Sequence, residues 1–303
     1  MTADAYPGYR RLAASGKIDE RVTALKGRLS PCRLCPRLCE VDRTGGAKGF
    51  CKQGSSASVS SFGAHHGEEA PLVGSGGSGT IFFAGCNLGC CFCQNYEISH
   101  LCEGREVSIE DLAGMMLRLQ EMGCHNVNLV TPTHVAPQIA EAVKTAAEGG
   151  LRLPIVYNCG GYESVETLRL LEGIVDIYMP DFKFWSAASS ERYLNAPDYP
   201  QTARAALKEM HRQVGDLVIR DGLALRGLLV RHLVMPGHLE DSRRILEFLA
   251  EQVSVRTFVN VMAQYRPCYR SRDFPEIAGR PTHEEFTRTI RFGDRAGLTR
   301  IYY

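Results

Sequence analysis

Cys86, Cys90 and Cys93 are the residues in this chain whose type and spacing most plainly call for chemistry. They lie in the run Phe82-Phe83-Ala84-Gly85-Cys86-Asn87-Leu88-Gly89-Cys90-Cys91-Phe92-Cys93-Gln94-Asn95, a C-x3-C-x2-C pattern with an aromatic residue before its last cysteine. Thiolates this close in sequence suit one iron–sulfur cluster, in which each sulfur takes a different iron. A cubane has four irons, so three protein ligands leave one iron open to a substrate or cofactor. A zinc site is the competing reading, but zinc usually completes its tetrahedron with a fourth protein ligand. Cys91 sits between two of the ligands and reads as a packed thiol.

A second set, Cys32, Cys35, Cys39 and Cys51, is spaced C-x2-C-x3-C-x11-C, with Pro36, Gly45, Gly46 and Gly49 to bend the chain. Four thiolates fit a closed zinc site or a fully ligated 4Fe–4S cluster equally well, and the three tightly spaced cysteines lean toward iron–sulfur. Cys102, Cys124, Cys159 and Cys268 are scattered and are expected to be core thiols.

The elements that must position these residues follow from periodicity. Residues 1–30 have a helical, basic pattern; 31–58 are rich in Cys, Gly and Ser; 59–79 are Gly-rich and expected to be loop. Six short apolar strands are then predicted at 80–83, 127–130, 153–157, 175–179, 228–235 and 258–262. Helices are predicted at 108–122, 136–147, 165–171, 201–214 and 239–252, with a last one starting near Thr282. Ser108 with Asp111, and Thr282 with Glu285, form capping-box pairs. Alternating strands and helices argue for a parallel sheet. Polar residues follow each strand: Cys86, Thr131 to His134, Asn158, Asp181 to Lys183, Pro236-Gly237, and Gln264-Tyr265. That placement favours a partial barrel, whose site lies at the strands' C-terminal ends, over a flat doubly wound sheet. The expected organisation is residues 1–58 as an N-terminal helix and four-cysteine metal-binding segment, and 59–303 as a partial (β/α)6 barrel.

The 303 residues are 44% hydrophobic and 23% charged, with a net charge of +1. Nothing in that balance argues for a general grip on nucleic acid or on an anionic membrane. No apolar run nears the roughly 18 residues that span a bilayer, and the start lacks a secretory signal's apolar core. A cytoplasmic protein is expected, and twelve cysteines there read as metal ligands or free thiols rather than disulfides. His65, His66, Glu68 and Glu69 form a polar knot before the first of the six strands, read as a solvated loop with lining of the substrate mouth as the alternative.

The cysteine loop, the run Gly77-Ser78-Gly79-Thr80-Ile81-Phe82-Phe83 before it, Asn128-Leu129-Val130-Thr131-Pro132-Thr133-His134 and Tyr178-Met179-Pro180-Asp181-Phe182-Lys183 together resemble the radical S-adenosylmethionine (SAM) superfamily. Within it the chain looks like the PflX-type relatives of pyruvate formate-lyase activating enzyme. The resemblance implies that Cys86, Cys90 and Cys93 hold a 4Fe–4S cluster whose open iron binds SAM. One electron would then release a 5′-deoxyadenosyl radical for hydrogen abstraction. It also implies an electron donor such as flavodoxin or ferredoxin. An activase acting on a glycine of a partner protein comes first among its substrates, and no C-terminal clamping domain is seen that would keep a large partner out. Radical modification of a peptide, RNA or small metabolite is the alternative, and a non-catalytic iron–sulfur electron-transfer protein is the reading from another class.

Individual contacts carry over less directly. The superfamily's Gly-Gly-Glu run after the second strand is replaced here by Thr131-Pro132-Thr133, so backbone carbonyls would have to receive the SAM amino group. Met179, Asp181 and Lys183 match the activating enzymes' M-x-D-x-K pattern, and Asp181 and Lys183, two apart, share a face. They are expected to contact SAM, a cation or substrate, with a surface ion pair as the alternative. Asn158 stands where the activating enzyme has an Asp. Arg231, on a strand expected to be buried, needs a partner, either SAM or a barrel-interior carboxylate. Gln264 is a candidate on position alone, and His134 is a candidate acid or base or else a structural histidine.

Overall fold

The computed structural model describes residues 6–303. The strands are β1 (Ala57–His65), β2 (Ser78–Phe83), β3 (Arg105–Val107), β4 (Val127–Val130), β5 (Ile155–Cys159), β6 (Ile177–Pro180), β7 (Val218–Arg220), β8 (Leu223–Leu233), β9 (Phe258–Met262) and β10 (Ile301–Tyr302). They form one open sheet in the order β10-β9-β8-β6-β5-β4-β2-β1-β3, with β7 paired to β8. From β2 to β10 all neighbours along that order are parallel. The six expected strands are therefore all present, and β10 adds a seventh. The sheet is a partial barrel.

The helices are α1 (Gly8–Ala14), α2 (Lys17–Gly27), α3 (Ala70–Val73), α4 (Tyr96–Ser99), α5 (Ile109–Glu121), α6 (Ala136–Glu148), α7 (Val165–Leu171), α8 (Ala187–Leu194), α9 (Tyr199–Val214), α10 (Leu239–Gln252) and α11 (His283–Ala296). Each step between consecutive parallel strands contains at least one of them, which covers the sheet and explains why β4 and β6 are almost wholly buried. Both capping boxes form: Ser108 with Asp111 starts α5, and Thr282 with Glu285 starts α11.

Two expectations change. The stretch 59–79 is not loop throughout. β1 runs antiparallel along β2, from Val59 opposite Phe83 to His65 opposite Ser78, and crosses the expected boundary at residue 58. Its sequence, ASVSSFGAH, is poor in large branched residues because only its first third is buried. The hairpin β7–β8 also lengthens the fifth predicted strand. Asp221 and Gly222 both take positive φ in its turn, as a two-residue type I′ connection requires.

The N-terminal helices belong to the main core. Tyr9, Ile18, Val22 and Leu25 are buried in the same apolar cluster as the sheet. The Tyr9 hydroxyl donates to the Leu153 carbonyl at 2.9 Å, and the Gly8 N–H to Asp176 at 2.9 Å. Burying each such large side chain is worth about 1.5–3 kcal/mol. Residues 28–56 are irregular and held by bonds within the segment, such as Cys32 N–H to Val41 at 2.8 Å, and by bonds to the barrel, such as Arg43 to the His134 carbonyl at 2.8 Å and Thr167 to the Leu34 carbonyl at 2.7 Å.

Candidate active site at the cysteine loop

The loop after β2 is pinned from several sides. Ala84 N–H bonds Ser58, Gly85 N–H bonds Ile98, Gly89 N–H bonds Leu194 and Cys91 N–H bonds Tyr193, all at 2.9–3.0 Å. Phe92 is buried and meets the rings of Phe184 and Tyr265 edge-on, each at 6.0 Å. The aromatic residue before the last cysteine thus wedges the loop against the barrel.

Cys90 is buried, while Cys86 and Cys93 are partly exposed. The Cys86 sulfur accepts the Leu88 N–H at 3.3 Å, and the Cys93 sulfur meets the Ser99 hydroxyl at 3.1 Å. Burial pushes the Cys86 thiol up to about 12 and Cys90 higher still, with nearby thiols adding to the rise and the Lys183 cation opposing it. Thiols so placed stay protonated until a metal's positive charge compensates. Cys91 keeps different company: its charged neighbours are Arg270, Asp273 and Arg192.

At the end of β6 the Lys183 ammonium meets the Asp181 carboxylate at 2.5 Å, with side chains 16% and 26% exposed. Burial disfavours the Lys183 charge, but Asp181 and Cys90 outweigh it and hold the group firmly cationic. The Tyr199 hydroxyl receives the Lys183 N–H at 2.9 Å and donates to the Asp181 carbonyl, fixing the turn. The ion pair is therefore internal rather than on the surface.

Thr131, just past β4, takes φ +60°, a costly conformation for a β-branched residue, and gives its N–H to the Asn158 carbonyl at 2.9 Å. Thr133 is buried and donates to Glu163 at 2.6 Å. Tyr157 donates to the other oxygen of Glu163 at 3.2 Å. Burial raises that carboxyl to about 7 against those bonds. Glu163 carried no sequence signal, since a glutamate in a Gly-Gly-Tyr-Glu loop matches no spacing rule.

Of three further candidates, Arg231 lies beside Asp181, its carbonyl accepting the Phe182 N–H at 2.8 Å. Arg231 spends its guanidinium on Glu68 and Glu69, with Glu69 at 2.6–2.7 Å, and Asn260 donates to Glu69 at 2.7 Å. The interior salt bridge is thus the reading the structure has, and the 68–69 pair is not a solvated loop, because its carboxylates are drawn inward by a cation on β8. His134 is buried, gives Nε2–H to the Ala84 carbonyl at 2.8 Å, and is held neutral by burial, which lowers it to about 4. It lines the cavity among the N-terminal cysteines, not the mouth over the strand ends. Gln264 is exposed and reaches only the Met262 sulfur at 3.5 Å. Of the scattered cysteines, Cys124 and Cys159 are core thiols, whereas Cys102 and Cys268 lie half-exposed in irregular segments.

The second set lies against the first. Cys32, Cys35 and Cys51 are buried and Cys39 is half-exposed, all as free thiols. Arg37, two residues past Cys35, donates to the Asn87 carbonyl at 2.8 Å and lies over the Phe50 ring at 3.8 Å.

The sequence model of the Radical SAM superfamily matches residues 80–249, more than half of the chain, and spans β2 to α10. The chain belongs to the radical SAM superfamily. An uncharacterized protein of Methanocaldococcus jannaschii, MJ0674, is 32% identical over 295 residues, covering 94% of this chain and 80% of that relative. SuiB of Streptococcus suis aligns with 73% of this chain at 10% identity and a TM-score of 0.45, and the chain spans about half of SuiB's length. Radical SAM chemistry is reductive cleavage of SAM at a 4Fe–4S cluster, and three clustered thiols at the C-terminal end of parallel strands are a donor set that fits it. Among the described residues no three His, Cys, Asp or Glu side chains converge on one ion. A cubane does not require that, because each thiolate takes its own iron.

Proposed function

We propose that Cys86, Cys90 and Cys93 hold the 4Fe–4S cluster of a SAM-cleaving enzyme, and that Cys91 stays outside it. The observation that carries this is the grouping of those three thiols with Lys183 at the strand ends, while Cys91 turns toward Arg270 and Asp273. With SAM, the cluster supplies one-electron cleavage of the sulfonium C–S bond and a 5′-deoxyadenosyl radical. The chain's own residues orient and seal. Phe92, Tyr265 and Phe184 keep the loop rigid. Lys183, locked by Asp181, offsets negative charge beside Cys90. Thr131 and Asn158 shape the turn where the superfamily's Gly-Gly-Glu is missing, and backbone carbonyls there would receive the SAM amino group. Cys32, Cys35, Cys39 and Cys51 form a second metal site.

The finer reading is a PflX-type activase that abstracts hydrogen from a glycine of a partner protein, fed by a flavodoxin- or ferredoxin-type donor. The M-x-D-x-K pattern, realised as a pair within electrostatic reach of Cys90, supports it. Anaerobically reconstituted protein incubated with SAM and dithionite should form 5′-deoxyadenosine; none above background from iron-loaded material would sink the enzyme reading. An activase leaves an EPR doublet on its partner protein, whereas a changed substrate mass without that doublet would point to radical modification instead.

A further inference from the structure

We infer that Cys32, Cys35, Cys39 and Cys51 carry a second 4Fe–4S cluster that relays single electrons from a low-potential donor to the cluster at Cys86, Cys90 and Cys93. The donor is a flavin hydroquinone or ferredoxin-type protein. The inference rests on the metal-site reading of the N-terminal cysteines. The balance is simple: the donor loses one electron, the N-terminal cluster gains and passes it, and the SAM-site cluster gains it, with no atom transferred.

The donor set is built to hold thiolates. The Cys39 sulfur accepts the Phe50 N–H at 3.4 Å, and backbone N–H groups of Arg37 and Gln53 reach the sulfurs of Cys35 and Cys51. Such bonds tune cluster potentials. Leu38, Glu40 and Lys52, which flank Cys39 and Cys51, all take positive φ, at 43°, 54° and 60°. Non-glycine residues rarely adopt that conformation unless the site demands it. Cys32, Cys35, Cys39 and Cys51 all line one cavity, with His134 beside them.

The geometry assigns direction. Cys39 is the partly exposed member and adjoins exposed Leu38 and Phe50, so the outer edge faces incoming donors. The inner edge is Cys51, and it abuts the SAM-site loop at Gly85. A Cβ on Gly85, the residue before Cys86, would fall 2.5 Å from the Cys51 carbonyl oxygen, and φ +81° there also requires glycine. A Cβ on Gly89, the residue before Cys90, would lie 3.3 Å from the Phe50 ring. Cys51 and Cys86 are within electrostatic reach of each other. The backbones that carry the two sets thus touch at Gly85 with no side chain between them, and the Phe50 ring bridges them at Gly89. Zinc would brace the segment without using that closeness.

The full-length protein, reconstituted anaerobically, provides the test. The inference expects about eight irons per chain, as two cubanes require. Dithionite-reduced protein should give an EPR spectrum broadened by spin coupling between two centres, with faster relaxation than either alone. The double variant Cys35→Ser/Cys39→Ser should retain about four irons and a single narrow, slowly relaxing signal; Cys86→Ala/Cys90→Ala should give the complementary signal. Stopped-flow reduction of the SAM-site cluster by photoreduced flavodoxin should slow by about tenfold or more in the first variant, a barrier increase of about 1.4 kcal/mol. Four irons with stoichiometric zinc, while SAM still perturbs the remaining signal, would overturn the relay and leave the proposed function standing. Eight irons with a spectrum equal to the sum of two isolated centres, or equal flavodoxin reduction rates, would overturn it too. If the double variant fails to fold, relaxation of the wild-type signal alone decides. A spectrum that SAM leaves unchanged at every iron content would instead count against the proposed function.

Discussion

Lys183 and the three cysteines show how single residues divide the work. Cys86 and Cys90 sit where burial keeps their thiols protonated, and the cation at Lys183 tilts them back. Cys86→Ala, Cys90→Ala and Cys93→Ala are each expected to lose the SAM-site cluster and all 5′-deoxyadenosine formation, while Cys91→Ala keeps both. Loss of the cluster in Cys91→Ala would shift the ligand register. Glu163 makes a separate prediction. Its carboxyl is raised from 4.5 to about 7 by burial, so the folded state holds a proton that the unfolded chain releases. Its contribution is full below about pH 4.5 and is lost as pH climbs through 7, by about 3 kcal/mol. Urea unfolding of Glu163→Gln at pH 5 and pH 8 should therefore show a smaller loss than wild type by about that amount; an identical pH dependence would mean Glu163 is ionised throughout.

Among the elements, β1 and β8 matter most for the site. β1 ends at His65, and the chain then carries Glu68 and Glu69 inward onto Arg231 of β8. Arg231 is 14% exposed and the two carboxylates 8% and 1%. Removing one partner of such a buried set leaves uncompensated charge, so Arg231→Ala should cost about 3–5 kcal/mol. Glu69→Gln in that background should restore part of it, as read by denaturant midpoints. If Arg231→Ala melts like wild type, the ion pair is not holding β1's exit loop to the barrel. The strand itself could be missed in sequence because an antiparallel strand buried over only a third of its length needs no alternation of branched residues.

At the scale of the whole molecule, the N-terminal segment is welded to the barrel. Leu25 is fully buried against it, so Leu25→Ala should destabilise the entire fold by about 2–5 kcal/mol in one cooperative transition. An early separate unfolding step would show instead that residues 6–58 form a detachable unit. No helix of the described residues is long and apolar enough to cross a membrane. Much of this architecture was legible beforehand. Six buried strands, the capping boxes and the C-x3-C-x2-C loop are local facts, because strand burial, helix capping and ligand spacing depend on residues close in the chain. Long-range geometry was not legible. That Arg231 meets Glu68 and Glu69, that His134 faces the N-terminal cysteines, and that Gly85 touches Cys51 depend on which strand ends lie side by side. Local pattern places residues on elements; only the packed sheet decides which of those residues share a space, since contacts between distant segments arise from the register and order of strands rather than from any spacing along the chain.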